Sequence, residues 1–108
     1  LGAQTTEETM TQETLTETFN ATFNTKGKTL VRVALSACMG EMSERTFRVA
    51  RRTTHKNSRY WDQSITLAPV DGGKAGPFAV RIIKETDGRI DAATGDMQAE
   101  LKTFELLA

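Results

Sequence analysis

The chain has one cysteine, two prolines, one histidine, one tryptophan and one tyrosine in 108 residues. A lone cysteine excludes an internal disulfide and a thiolate metal cluster. A single histidine would leave any metal site to carboxylates, and no suitable carboxylate spacing is present. No apolar run approaches the ~18 residues that a membrane span needs. No signal peptide or basic amphipathic presequence is visible, and a mature chain would show none either. Apolar residues make up 38%. An ordinary soluble domain has ~45–50% when glycine is counted with them. The core is therefore thin, and the length supports one domain.

Charge is balanced overall at 14 bases and 14 acids but is laid out unevenly. Residues 1–25 hold four acids and no base. Residues 26–60 hold nine bases (Lys26, Lys28, Arg32, Arg45, Arg48, Arg51, Arg52, Lys56, Arg59) against Glu41 and Glu44. The remainder is acidic, with five bases and eight acids. Local charge steers polyanions more than the total does, so the basic block is the first functional hint.

Residues 1–14 are rich in Thr, Glu and Gln and nearly free of apolar side chains. They read as a mobile N-terminal arm that cannot bury enough surface to order itself. Residues 15–108 read as one domain. From Leu15 a period of two sets in, with Phe19, Ala21 and Phe23 on one side, which predicts a strand. A turn at 24–28 leads to a second strand, 29–37, with Val31, Val33 and Leu35 alternating. A break holding Cys38 and Gly40 separates it from a third strand, 45–54. A polar tip at His55–Ser58 links that to a fourth, 59–68, ended by Pro69. The segment 71–77 is a glycine-rich loop, followed by a fifth strand, 78–85. Thr94 or Asp96 then opens a predicted helix, because Met97, Leu101, Phe104 and Ala108 recur at helical spacing.

The expected fold is α+β: an antiparallel sheet of about five to six strands, with a C-terminal helix packed on one face, completed by dimerisation. The bulky apolar residues, including Phe47, Val49, Trp61, Ile65, Phe78 and Ile82, fall on the helix-covered side. The opposite, solvated side collects Asn20, Arg32, Arg48, Arg52, Tyr60, Ser64, Thr66 and Arg81. Arginine pairs bidentately with phosphate, hydroxyls add neutral hydrogen bonds, and tyrosine stacks on splayed bases. The candidate RNA-binding residues are therefore Arg32, Arg48, Arg52, Tyr60, Ser64, Thr66 and Arg81. A plain solvated face is the alternative, and one bulge would reverse the facing of a strand.

Other motifs carry little. His55 lies in a polar tip without a placed partner. Cys38 reads as a small buried thiol. Glu41 and Glu44 sit three apart in an apparent loop, without the burial that acid–base work requires. The run 72–76 lacks the phosphate-loop spacing, and 87–91 is too short for a calcium loop. Asn20-Ala21-Thr22 matches the glycosylation pattern but lies inside a predicted strand. No catalytic group, metal or cofactor is expected, and the chain reads as a non-enzyme.

The order of predicted elements, carried by 15–23, 30–37, 46–54, 60–67, 78–84 and 96–107, resembles the coat proteins of single-stranded RNA bacteriophages. That resemblance implies a homodimer with sheets joined edge to edge, helical ends crossing the partner, and an RNA hairpin on the other sheet face. Two departures stand out, a short helical end and a low strand count. The expected function is thus a self-assembling structural protein, a capsid subunit of a virion formed in the host cytoplasm. Its partners would be itself and RNA, with no membrane and no small-molecule substrate. The alternatives are a small non-enzymatic accessory subunit of a larger assembly, docking by a strand edge or the Trp61 region, and a secreted inhibitor-like domain using the glycine-rich loop.

Overall fold

A computed structural model describes residues 9–37, 40–71, 73–76, 79–95 and 97–107. One helix, α1 (Gln12–Asn24), precedes six strands: β1 (Leu30–Ala37), β2 (Gly40–Thr54), β3 (Trp61–Pro69), β4 (Val80–Glu85), β5 (Ile90–Thr94) and β6 (Met97–Leu106). Each strand pairs antiparallel with the next, and β6 returns to β1, closing a barrel. Val31 pairs with Leu106 and Ala37 with Ala99 along this seam. Closure overturns the expected open sheet completed by a second copy. The chain pairs its own first and last strands, so neither is left as a free edge.

The two ends of the chain exchange their expected identities. Residues 15–23 are helical, because Leu15, Phe19 and Thr22 stand four and three apart on one helix face, and all three are buried. The Phe19 and Phe23 rings stack at 5.9 Å, an i,i+4 contact that alternation also explains. Thr11 is the N-cap, its hydroxyl accepting from the Thr14 N–H at 3.2 Å, with Glu13 in the first turn. Helix capping therefore outweighs the strand preference of Thr and Phe.

The predicted C-terminal helix is strand β6. Leu35 pairs with Leu101 but Ala34 pairs with Thr103, so β6 carries one extra residue. This bulge sets Leu101 and Phe104 on the same inward side, three residues apart. The spacing imitates a helix. Thr94, a proposed helix cap, is the last residue of β5, a strand the alternation did not reveal. Asp96, Phe78, Cys38, Ala108 and residues 1–8 lie outside the described residues. Gln12 to Thr14, assigned to the arm, form the first turn of α1.

The barrel interior is filled by Val31, Val33, Leu35, Ile65, Leu67, Ile82, Ile90 and Phe104, each at most 3% exposed. Leu15 and Phe19 of α1 add to this core and stopper one end. Burying each of them contributes about 1.5–3 kcal/mol. The helix is pinned at both ends. Gln12 copies a strand neighbour: its Oε1 accepts from the Ile90 N–H at 2.8 Å and its Nε2 donates to the Ile90 carbonyl at 3.1 Å. At the other end Arg52 donates to the Thr22 carbonyl and the Thr29 hydroxyl, both at 3.0 Å. Ahead of the helix, the Met10 N–H donates to the Lys102 carbonyl at 2.7 Å, beside the β6 bulge. No helix of the described residues is long and apolar enough to cross a membrane.

Candidate functional site

Two further bulges decide what the outer surface presents. Val49 pairs with Leu67 but Arg51 with Thr66, so β2 gains a residue at Ala50. Strict alternation puts Arg48 and Arg52 outside together. The bulge instead turns Arg52 inward beside Ile65 and Arg51 outward beside Thr66. In β3, Trp61 pairs with Glu85 and Gln63 with Lys84, so the extra residue is Asp62. Trp61, expected in the core, therefore faces outward opposite Glu85.

The registers then line up rows of side chains across the outer wall. Arg51, Thr66, Arg81, Ala93 and Gln98 are successive partners over β2 to β6. The next row runs Thr53, Ser64, Ile83 and Asp91. The third places Trp61 against Glu85. Ala93 and Gly95 are small, so the wall is hollow there. Gly95, with φ 60°, takes a left-handed conformation that suits glycine at the β5–β6 turn. Its carbonyl accepts from Arg81 Nη2 at 2.8 Å.

Two adjoining hollows result. The larger, about 400 Å³, has Trp61 and Tyr60 on one side, Ile83 and Ala93 as floor, and Glu85, Asp91 and Gln98 around it. Its size falls within the range of small-ligand clefts. The smaller, about 270 Å³, is lined by Arg51, Thr66, Arg81 and the loop residues Ala75 and Gly76. Arg81 and Gly95 border both. The Arg81 guanidinium carbon lies 5.5 Å from the Trp61 ring centre, a cation–π arrangement that orients both groups.

Surrounding contacts hold the aromatic side in place. The Ser58 hydroxyl accepts from the Tyr60 and Trp61 N–H groups at 3.2 and 3.1 Å. The Thr86 N–H donates to the Tyr60 carbonyl at 2.9 Å. His55 meets the Trp61 ring edge-on at 5.8 Å, and its Nε2 shares a 2.9 Å hydrogen bond with the Ser64 hydroxyl. The tip histidine thus has a partner that the sequence did not place. Tyr60 is 70% exposed.

The acidic side is a carboxyl pair. A hydrogen bond with Asp91, burial, and the negative charges of Asp91 and Asp87 raise Glu85 from 4.5 to about 7, with Arg89 opposing. Arg89 lies 3.5 Å from Asp91. Among the described residues no group of three His, Cys, Asp or Glu side chains could hold a metal.

Of the seven candidate RNA-binding residues, Tyr60 and Arg81 line the larger hollow, and Thr66 and Arg81 the smaller. Ser64 lies between these rows, under His55. The other three stand apart. Arg32 faces out from β1, 3.9 Å from Glu44. Arg48 faces out from β2 and donates to the Pro69 carbonyl at 3.1 Å and to the Gly73 carbonyl. Arg52 is half-buried against the end of α1. Trp61 was anticipated as a packing residue and as a docking region of an accessory subunit, and Arg51, Glu85, Asp91 and Gln98 were not anticipated. An adjacent Tyr-Trp pair followed by Asp62, and two acids straddling an Asp-Gly turn, are the signals that could have found them. Comparison with protein-family models, with curated proteins and with solved structures gave no match, so the surface is interpreted from its own geometry.

Proposed function

We propose that the outer wall of β2 to β6 binds single-stranded nucleic acid without catalysing a reaction. The observation that carries this reading is the sharing of Arg81 between two hollows of complementary chemistry. One offers an aromatic wall and apolar floor for a planar ring. The other offers the Arg51 and Arg81 guanidiniums from β2 and β4, with Thr66 of β3 between them and each strand about 5 Å from the next, for a phosphate. Ring and phosphate in adjacent positions make a nucleotide. Tyr60, exposed at the rim, supplies a stacking surface for the next base, and stacking tolerates any base. Lys56 and Arg59, exposed near the β2–β3 tip, extend the positive potential outward.

RNA is the partner that the charge layout suggested, and this reading keeps it on a smaller set of residues. Capsid assembly is not carried forward, because two segments that bore the resemblance adopt other elements, 15–23 within helix α1 and Met97–Leu106 as strand β6.

The test is fluorescence anisotropy of a labelled 12-nucleotide single-stranded RNA, read alongside Trp61 emission. Binding with quenched emission is expected. The one phosphate held between Arg51 and Arg81 predicts that affinity falls roughly threefold between 50 and 200 mM salt. Arg51 is exposed, so Arg51→Glu leaves the fold intact and should abolish most of the affinity. Absence of binding at 50 mM salt, or equal affinity in Arg51→Glu, overturns the reading.

A further inference from the structure

The acidic end of the larger hollow has no role in holding phosphate, since carboxylates repel it. It does have a role toward the ring. A ring resting on Ile83 and Ala93, with its phosphate side toward Arg81, turns its far edge toward Glu85 and Asp91. That edge meets carboxyl oxygens, which accept hydrogen bonds. The Asp91 side chain is only 12% exposed, so water competes weakly for it. Arg89, 3.5 Å away on the outer side, holds that carboxylate in place.

The bases differ in what they offer there. Guanine presents two adjacent donors, its ring N1–H and its exocyclic N2 amino group, spaced to meet two carboxylate oxygens. Uracil presents one ring N–H flanked by two carbonyls, which face the carboxyls unfavourably. Adenine and cytosine each present one amino group beside an acceptor nitrogen. A site built to accept hydrogen bonds rejects a ring whose acceptors would be left facing it.

Resting on the nucleic-acid reading, we infer that the Glu85 and Asp91 carboxyls make the larger hollow selective for guanine. Gln98, which also lines the hollow and carries both a donor and an acceptor, is suited to the remaining guanine edge.

The experiment uses labelled uridine heptamers whose central position is G, inosine, A, C or U, at fixed pH and salt. Inosine keeps the N1–H and lacks the amino group. The expected order places G first, about tenfold tighter than inosine, which is the effect of one hydrogen bond to a charged acceptor. Uridine is expected to be weakest. Glu85→Gln should reduce the preference for G over U, because an amide nitrogen in place of one carboxyl oxygen no longer accepts from guanine and can donate to a uracil carbonyl. Equal binding of all five heptamers overturns guanine selectivity and leaves single-strand binding standing. Failure of every heptamer to bind overturns both. Because the heptamer series uses the unaltered protein, a folding defect in the variant cannot obscure either result.

Discussion

Glu85 is held in a state that costs the folded protein something at neutral pH. Its carboxyl rises from 4.5 to about 7, first through its hydrogen bond with Asp91, then through burial and the charges of Asp91 and Asp87. Between these values the folded chain binds a proton that the unfolded chain does not. Stability therefore falls as pH rises from about 4.5 to 7, and levels off above. Glu85→Gln supplies a permanent amide donor to Asp91. Thermal melts should show the parent protein less stable at pH 8 than at pH 5. The variant should lose that difference and gain roughly 1 kcal/mol at pH 8, well short of full linkage because the carboxyl is partly solvated. An unchanged pH profile in the variant would place the effect on another group. None of this was visible in the sequence. Glu85 and Asp91 are separated by a turn, and only the β4–β5 register makes them neighbours. By contrast Val31, Val33 and Leu35, and Ile65 and Leu67, were read correctly as core, because regular alternation persists there.

Elements were harder to read than residues because bulges hide in them. Strand β2 carries two extra residues, one between Met42 and Arg45 and one at Ala50, β3 and β6 carry one each, and alternation is valid only between such points. Arg48 was placed outside correctly, whereas Arg52, beyond the Ala50 bulge, was not. Its inward turn gives α1 something the helix lacks. The last turn of α1 contains no basic residue. Its Thr22 carbonyl is served instead by the Arg52 guanidinium, a cation at the negative end of the helix dipole. Arg52→Ala removes this charged partner from the Thr22 carbonyl, which keeps only the Thr25 N–H at 3.3 Å, and from the buried Thr29 hydroxyl, which keeps only its bond to the Gly27 carbonyl at 3.2 Å. A loss of about 1–3 kcal/mol is expected, measured by urea denaturation. Binding of RNA to the folded variant should be unchanged, since Arg52 is not on the outer wall. Loss of binding by the folded variant would mean that helix position controls the site. The helix was misread as a strand, since Phe19 and Phe23 satisfy both periods. Thr11 and Glu13 were the deciding signs.

At the scale of the molecule, the thin core suggested that a second copy was needed. The barrel answers the same shortage differently. Rolling the sheet lets both ends of it share one interior, and α1 fills the opening that remains. Among the described residues, the exposed large apolar side chains are only Tyr60, Val70 and Met97. Among the described residues these offer little apolar surface to a second copy. Light scattering of the nucleic-acid-free protein should therefore report a mass near 11.9 kDa. A dimer mass would show that the barrel wall itself carries an interface. Closure was not readable from the chain because it depends on pairing between β1 and β6, and no local pattern encodes it.

The same seam governs how the molecule comes together in time. Every other strand pair joins neighbours in sequence and can form as a hairpin within microseconds. Arg32 and Glu105, partners across the seam, are separated by most of the chain. Their meeting bears the full entropic toll of a long loop and waits on all the preceding hairpins. Folding should thus be slow for so small a chain and single-step, with the ring shutting last and breaking first.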